Sequence, residues 1–229
     1  MAAAACSRRT LPRLAQPAYS RTFFNFPSPF GSSASSSPAP ERKGTLTNKG
    51  GLWMYNESKD MPYSPAQLYS VIADVDSYVH FLPFTTQSRV LSAASYTQDG
   101  RRTPQPVAQK GWLNAENGDE RWEMDAELRI GAMGFDEGYV SLVEMHKGKW
   151  VKATAKDASM FRHLSTLWTF TPSPSSSPSS APLTKVDLAL AYQFTSPLHA
   201  AAISTVWDKV SALMVQKFED RVRAVHGGR

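Results

Sequence analysis

The stretch SPLHAAAISTVWDKVSALMVQKFEDRVRAVH, residues 196–226, decides the fold of this chain. Ser196 can cap a helix, and Pro197 then occupies its first position, where a missing N–H costs nothing. Apolar residues recur at helical spacing to the end of the stretch, and charged residues occupy the opposite face. Gly227 follows the last turn, as glycine often does at a helix end. The spacing predicts one helix of about 40 Å, at about 1.5 Å per residue.

Strand-like segments precede this helix and supply the surface on which it must pack. The clearest is 122–130, in which apolar and charged residues alternate without exception, which is typical of a strand with one buried face. Similar patterns predict strands at 52–58, 87–93, 139–145, 149–156, 164–170 and 186–194. Trp112 and Leu113 are assigned to a strand that returns from the loop before them. Two short helices are expected after the first strand, one starting at Pro65 behind a Ser64 cap and one at 75–81.

The order of these elements predicts an α+β fold. Alternating strands joined by short turns indicate an antiparallel sheet, here of about six to seven strands, with one wet face. Such a sheet curls by its own twist. Because the terminal helix is the only element long enough to cover the dry face, we expect the curved sheet to wrap around it. A cavity remains between them wherever side chains do not fill the space.

The N-terminal residues differ in composition from the rest. The whole chain carries a formal charge of +5, but residues 1–40 contain four arginines and no acidic residue, so the remainder carries about +1. This distribution argues against a nucleic-acid-binding face. An Arg- and Ser-containing segment without acids is typical of a mitochondrial presequence. We therefore predict a presequence and linker at 1–44, a folded domain at 45–229, and surface loop insertions at 94–110 and 172–182.

The residue types that carry catalysis do not form a recognisable constellation. The five histidines lack metal-ligand spacing, and the last three of the six acidic residues at 116–127 fall on the wet face of a strand. Cys6 is the only cysteine and lies in the predicted presequence, so the domain has no thiol chemistry. The pattern therefore predicts neither a catalytic group, nor a metal, nor a catalytic cofactor.

A ligand-binding protein requires only an apolar pocket with a few polar groups. The inward-facing strand residues and the apolar face of the helix are candidates to line one, and the same residues are also what an ordinary packed core would contain. Flat aromatic rings and flexible methionines favour a pocket for a ring with an apolar tail. The candidates are Trp122, Met124, Leu128, Trp168, Phe170, Leu190, Tyr192, Phe194, Trp207, Val210 and Met214.

Four stretches resemble a known family. They are VIADVDSYVHFLPF at 71–84, AELRIGAMGFDEGYVSLV at 126–143, MFRHLSTLWTF at 160–170, and YQFTSPLHAAAISTVWDKVSALMVQKFE at 192–219. The chain resembles the coenzyme Q-binding protein family, a branch of the START-like polyketide cyclase superfamily with a helix-grip fold. Family members usually carry Trp-Cys where this chain has Phe84 and Thr85, so an aromatic residue is retained and the thiol is lost.

The resemblance implies a non-enzymatic protein that binds ubiquinone or its late intermediates. It implies peripheral attachment to the matrix side of the mitochondrial inner membrane, with ubiquinone-biosynthesis enzymes or respiratory complexes as partners. It also favours Leu82, Pro83 and Phe84 as a lid or membrane-facing rim of the site. Two alternatives stay open, namely a cyclase or hydratase acting on an aromatic precursor in the same cavity, and a ribosome-associated interaction module.

Overall fold

The computed structural model describes residues 44–114, 120–132, 135–173 and 182–227, and within these it describes only the backbone of 132, 135, 157, 198, 199 and 201–212. Nine strands and two α-helices make up the described fold. The strands are β1 (Thr45–Lys49), β2 (Leu52–Met61), β3 (Thr85–Tyr96), β4 (Arg102–Gln105), β5 (Arg121–Ala132), β6 (Phe135–His146), β7 (Trp150–Asp157), β8 (Phe161–Pro172) and β9 (Thr184–Phe194). The helices are α1 (Pro65–Ala73) and α2 (Pro197–His226), with short 3-10 turns at Val75–His80, Val107–Gln109 and Gly111–Leu113.

All described strands form one antiparallel sheet in the order β1-β2-β9-β8-β7-β6-β5-β3-β4. The five strands β5 to β9 are consecutive neighbours, which is the meander expected from their short connections. The chain leaves the sheet after β2, forms α1 and the 3-10 turn Val75–His80, and returns as β3 beside β5. This excursion places α1 at the same side of the sheet as α2.

The strand count differs from the expected six to seven, and the short helices follow the second strand instead of the first. The additional strands are β1 and β4, each at one edge of the sheet. β1 is joined to β2 by Gly50 and Gly51, which have φ angles of 60° and 86°. A two-residue hairpin turn of type I′ requires positive φ at both positions, which glycine adopts without strain.

The region around Trp112 is a 3-10 turn, so its assignment to a returning strand is wrong. Trp112 is 1 % exposed, and its indole N–H donates to the Ala73 carbonyl at 3.1 Å. The hydroxyl of Tyr69 donates to the carbonyl of Trp112 at 2.9 Å. Two contacts with α1 thus hold this segment against the helix, and tertiary packing overrides the apolar residues that suggested a strand.

Both α-helices begin as the sequence predicts. At α1 the Ser64 hydroxyl accepts from the Gln67 backbone, and the Gln67 side chain accepts from the Ser64 backbone, which is a complete capping box. α2 runs for 30 residues without interruption. Phe218 and Val222, in its C-terminal half, are buried in the main core together with residues from α1 and the sheet. The closing role expected of the terminal helix is confirmed for this half.

Candidate functional site

A cavity of about 190 Å³ lies between the sheet, the C-terminal half of α2 and the α1 region, which consists of α1 and the residues that follow it up to Leu82. Most of its lining is apolar, and none of the described side chains that line it is charged. The described lining consists of Tyr55, Ile72, Val75, Tyr78, Leu82, Leu128, Ile130, Tyr139, Ser141, Val143, Val151, Ala153, Phe161, Leu164, Thr166, Trp168, Leu188, Leu190, Met214, Val215 and Phe218.

Strand register explains why this space is not filled. Val143, Ala153, Thr166, Leu190 and Tyr55 are direct partners across five adjacent strands, β6, β7, β8, β9 and β2. Side chains in such a row point to the same face of the sheet. The middle positions carry alanine and threonine, which are too short to reach the helix above them. The hollow therefore follows from the small residues Ala153 and Thr166 at paired positions on the side of the sheet that faces α2.

An aromatic cluster bounds the cavity on the α2 side. The Phe218 ring contacts Tyr78, Phe81 and Trp168 edge to face, with centroid distances of 5.2, 5.3 and 5.3 Å. Such edge-to-face contacts add to the stabilisation from burial alone. Trp168 and Phe218 also line a smaller pocket of about 30 Å³, and Phe170 lies in that pocket. The two spaces are therefore neighbours that share part of their walls.

Hydroxyl groups are the polar component of the lining. Tyr78 donates to the Ile72 carbonyl at 2.5 Å, and Tyr55 donates to Glu57 at 2.6 Å. Burial raises the pKa of Tyr139 to about 12, and burial together with Asp74 raises the pKa of Tyr78 well above its ordinary value. Both phenols are consequently protonated at physiological pH. A site of this kind, apolar with neutral hydroxyls, suits an uncharged ligand that carries a few hydrogen-bond acceptors.

The structure brings together some of the residues proposed from sequence. Five of them line the cavity: Leu82, Leu128, Trp168, Leu190 and Met214. Phe170 lies beside them in the smaller pocket. Pro83 and Phe84 follow Leu82 in the loop to β3, and neither contributes to the described lining. Phe84 has a φ of 65°, which is unusual for a bulky side chain, and its carbonyl accepts from the Gly131 amide at 2.9 Å.

Four other candidates lie in packed core and do not contribute to the described lining of the cavity. Trp122 and Met124 belong to the main core, where the Trp122 ring lies 6.3 Å from that of Trp112. Tyr192 and Phe194 belong to a second cluster, and Phe194 stacks on Phe161 at 5.0 Å. Their positions alternate in phase with those of the lining residues on the same strands, so they face the same side of the sheet. The side chains of Trp207 and Val210 fall outside the described residues, so these two candidates are placed only on the backbone of α2.

Sequence reasoning missed the contribution of β6 and of the α1 region. Tyr139, Ser141 and Val143 all line the cavity and alternate along β6. Their period-two spacing was a usable signal, because it puts all three on one face. Ile72, Val75 and Tyr78 give no comparable signal. Their position over the sheet depends on the excursion between β2 and β3, which is a tertiary feature.

Comparison with known proteins agrees with this architecture. The profile of the family described as polyketide cyclase / dehydrase and lipid transport matches residues 61–219, more than half of the chain. A Xenopus laevis protein named coenzyme Q-binding protein COQ10 homolog B, mitochondrial, is 30 % identical over 219 residues, covering 95 % of this chain and 71 % of that protein. The chain belongs to the coenzyme Q-binding protein family.

Further comparisons extend to another member of the coenzyme Q-binding family and to a solved structure. The mitochondrial coenzyme Q-binding protein of Schizosaccharomyces pombe is 28 % identical over 176 residues, which covers 76 % of this chain and 90 % of that protein. The solution structure of an 18 kDa protein from Caulobacter crescentus superimposes with a TM-score of 0.52 at 21 % identity, covering 76 % of this chain and 99 % of that one. The second likeness shows only that the two chains share a fold.

The described part of the chain contains two α-helices, α1 and α2. Neither of its α-helices combines the length and apolar character that crossing a bilayer requires. The described residues also contain no group of three or more His, Cys, Asp or Glu that could hold a metal ion.

Proposed function

We propose that this protein binds ubiquinone, or a late prenylated intermediate of its synthesis, in the cavity between the sheet and α2. The observation that carries the proposal is an uncharged, mainly apolar cavity of about 190 Å³ in a member of the coenzyme Q-binding family. The protein acts by holding the quinone and presenting it for ubiquinone biosynthesis and respiratory electron transport.

The cavity volume matches a ring better than a complete lipid. An apolar cavity of about 150 Å³ is enough to bind benzene, whereas sites for drug-sized ligands measure about 300–1,000 Å³. At about 190 Å³ the cavity accommodates one substituted ring and little more. The quinone head therefore occupies the cavity, and most of the prenyl tail extends beyond it along apolar surface.

The lining supports binding without a covalent step. Cyclases and hydratases need an acid or base that changes protonation during the reaction. The titratable groups among the described lining residues are the phenols of Tyr55, Tyr78 and Tyr139, and the pKa values of the last two are raised by burial. This arrangement favours a carrier over an enzyme. The near-neutral charge after residue 40 likewise gives no support to ribosome association.

The location follows from the ligand. Each buried CH₂ of a prenyl tail contributes about 0.8 kcal/mol to its retention in lipid, so complete extraction into water is unfavourable. We infer that the protein docks on the matrix face of the mitochondrial inner membrane, directed there by a presequence within 1–44. Leu82, Pro83 and Phe84 form the membrane-facing rim, because Leu82 lines the cavity while the next two residues continue toward β3.

A matched pair of substitutions tests the binding site. Ala153 lines the cavity, and Ala189 lies on the opposite face of the sheet beside Leu167. Ala153→Phe fills the cavity, whereas Ala189→Phe adds the same ring outside it. Purified protein is titrated with ubiquinone carrying a two-isoprene tail, and quenching of tryptophan fluorescence reports binding because Trp168 lines the site.

The expected result is one binding site in the unmodified protein, at least tenfold weaker binding in Ala153→Phe, and unchanged binding in Ala189→Phe. Failure of the unmodified protein to bind the quinone would overturn the proposed function. Equal binding by both variants would place the site elsewhere.

A further inference from the structure

Ser141 places a buried hydroxyl at the wall of the cavity. The residue is 4 % exposed and lines the cavity from the middle of β6. Among the described residues, its side chain makes no hydrogen bond. A buried hydroxyl without a partner costs about 1–3 kcal/mol, and such groups in native proteins are uncommon. A group of this kind at a cavity wall is a candidate for binding a ligand.

Tyr139 lies two residues before Ser141 and faces the same cavity. Its ring packs edge to face on Phe161, with the centroids 6.2 Å apart. The hydroxyl makes no hydrogen bond with the described residues, although the ring is held within the cavity wall. Tyr69 and Tyr78 differ, because each donates its hydroxyl to a backbone carbonyl. The packing therefore positions the Tyr139 ring and leaves its hydroxyl available.

We propose that the Tyr139 Oη and Ser141 Oγ hydroxyls form a hydrogen-bonding subsite for a carbonyl oxygen of the bound ring. This subsite rests on the proposed quinone binding and identifies which part of the cavity recognises the oxygen. Alternate residues of a strand lie about 7 Å apart on one face, so a single ring can contact both side chains.

Protonation supports the donor role of this pair. Burial raises the pKa of Tyr139 to about 12, so the phenol keeps its proton throughout the physiological range. A serine hydroxyl also donates one hydrogen bond. A carbonyl oxygen has two lone pairs and accepts two such bonds, whereas an arene without that oxygen gains nothing from either group.

The experiment compares two ligands with identical tails. One is ubiquinone with a two-isoprene tail, and the other is the corresponding prenylated dimethoxytoluene, in which hydrogen replaces both carbonyl oxygens. Calorimetry measures the binding of each ligand to the unmodified full chain and to full-length variants that carry Tyr139→Phe, Ser141→Ala or both substitutions. Thr169→Val is the matched control, because Thr169 carries a hydroxyl at a half-buried position on the opposite face of β8, outside the cavity.

The expected loss of quinone affinity is about three- to tenfold for each single variant, which is the usual net contribution of one hydrogen bond. Affinity for the arene should stay within twofold, as should quinone binding to Thr169→Val. The melting temperature of the ligand-free Ser141→Ala protein should be unchanged or higher, because the substitution removes an unpaired buried hydroxyl.

Failure of the subsite can be distinguished from failure of the proposed quinone-binding function. If the unmodified protein binds quinone and the Tyr139 and Ser141 variants bind it equally well, the subsite is wrong and the quinone-binding function stands. Equal loss of both ligands in these variants would mean that they perturb packing, which also overturns the subsite. If the unmodified protein binds neither ligand, the proposed function itself fails.

Discussion

Trp168 of β8 and Phe218 of α2 meet edge to face, with ring centroids 5.3 Å apart. Both rings line the main cavity and the smaller pocket next to it. This contact joins sheet and helix at the boundary between the two spaces. It therefore determines both how the helix closes the sheet and how far the cavity extends.

Removal of the Trp168 ring should affect ligand binding more than stability. We expect Trp168→Ala to weaken quinone binding at least tenfold, since the ring forms part of the cavity wall. Leu82→Ala should also weaken quinone binding, because Leu82 lines the same cavity. Trp122→Ala is the contrasting variant, because Trp122 is 7 % exposed and lies in packed core. It should cost about 3–5 kcal/mol of unfolding free energy. Thermal unfolding and quinone titration of all three variants check the distinction, and parallel losses in both assays would identify Trp168 and Leu82 as ordinary core residues.

An ion pair should strengthen the attachment of α2 to β2. Lys59 Nζ lies 2.5 Å from Glu219 Oε1, and the two side chains are 33 % and 19 % exposed. A partly exposed pair of this kind contributes about 1 kcal/mol. In a double-mutant cycle with Lys59→Met and Glu219→Gln, the coupling energy should have about that size and decrease in high salt. Strictly additive effects on the free energy of unfolding would show that the pair contributes nothing.

Buried phenols should make the protein sensitive to alkali. The pKa values of Tyr69, Tyr78 and Tyr139 are all raised by burial, that of Tyr139 to about 12. A raised folded-state pKa favours the protonated form of the folded protein. The resulting stabilisation is complete below the unfolded value of about 10 and is lost as pH rises through the folded value.

We therefore expect the free energy of unfolding to fall between about pH 10 and 12. Phenolate absorbance should rise together with loss of the circular dichroism signal, and Tyr139→Phe should make the fall shallower. Titration of all eight tyrosines near pH 10 with the fold intact would contradict this prediction.

The membrane-facing rim can be tested at Phe84 without disturbing its backbone. Asparagine tolerates the positive φ found at this position, so Phe84→Asn removes the apolar ring and keeps the left-handed conformation. Flotation with vesicles containing cardiolipin should decrease severalfold. Leu91→Asn is the control, because Leu91 is 44 % exposed on β3 and is not part of the rim. An equal decrease in both variants would argue against a specific rim.

Local patterns were sufficient to predict most of the architecture. Alternation identified the seven longer strands, and the Ser-Pro pairs at 64–65 and 196–197 marked the starts of both α-helices. β1 was predictable in principle, since Gly50 and Gly51 form the dipeptide of a tight hairpin. Trp112 was not, because its contacts with Tyr69 and Ala73 join residues about 40 positions apart.

The candidate site was harder to predict than the fold, because alternation identifies the buried face and not the position of a hollow within it. Trp122 and Leu128 lie on the same face of β5, yet Leu128 lines the cavity and Trp122 packs against Trp112. The difference depends on what lies above each residue. The hollow itself results from Ala153 and Thr166 being neighbours on adjacent strands, which becomes apparent only when the register is known.

The most direct test of the central claim is to identify what the protein carries. The protein is purified from mitochondria and extracted with organic solvent, and the extract is assayed for quinones, with Ala153→Phe and Ala189→Phe treated identically. We predict close to one ubiquinone per molecule for the unmodified protein and for Ala189→Phe, and severalfold less for Ala153→Phe. An extract of the unmodified protein without quinone would contradict the account.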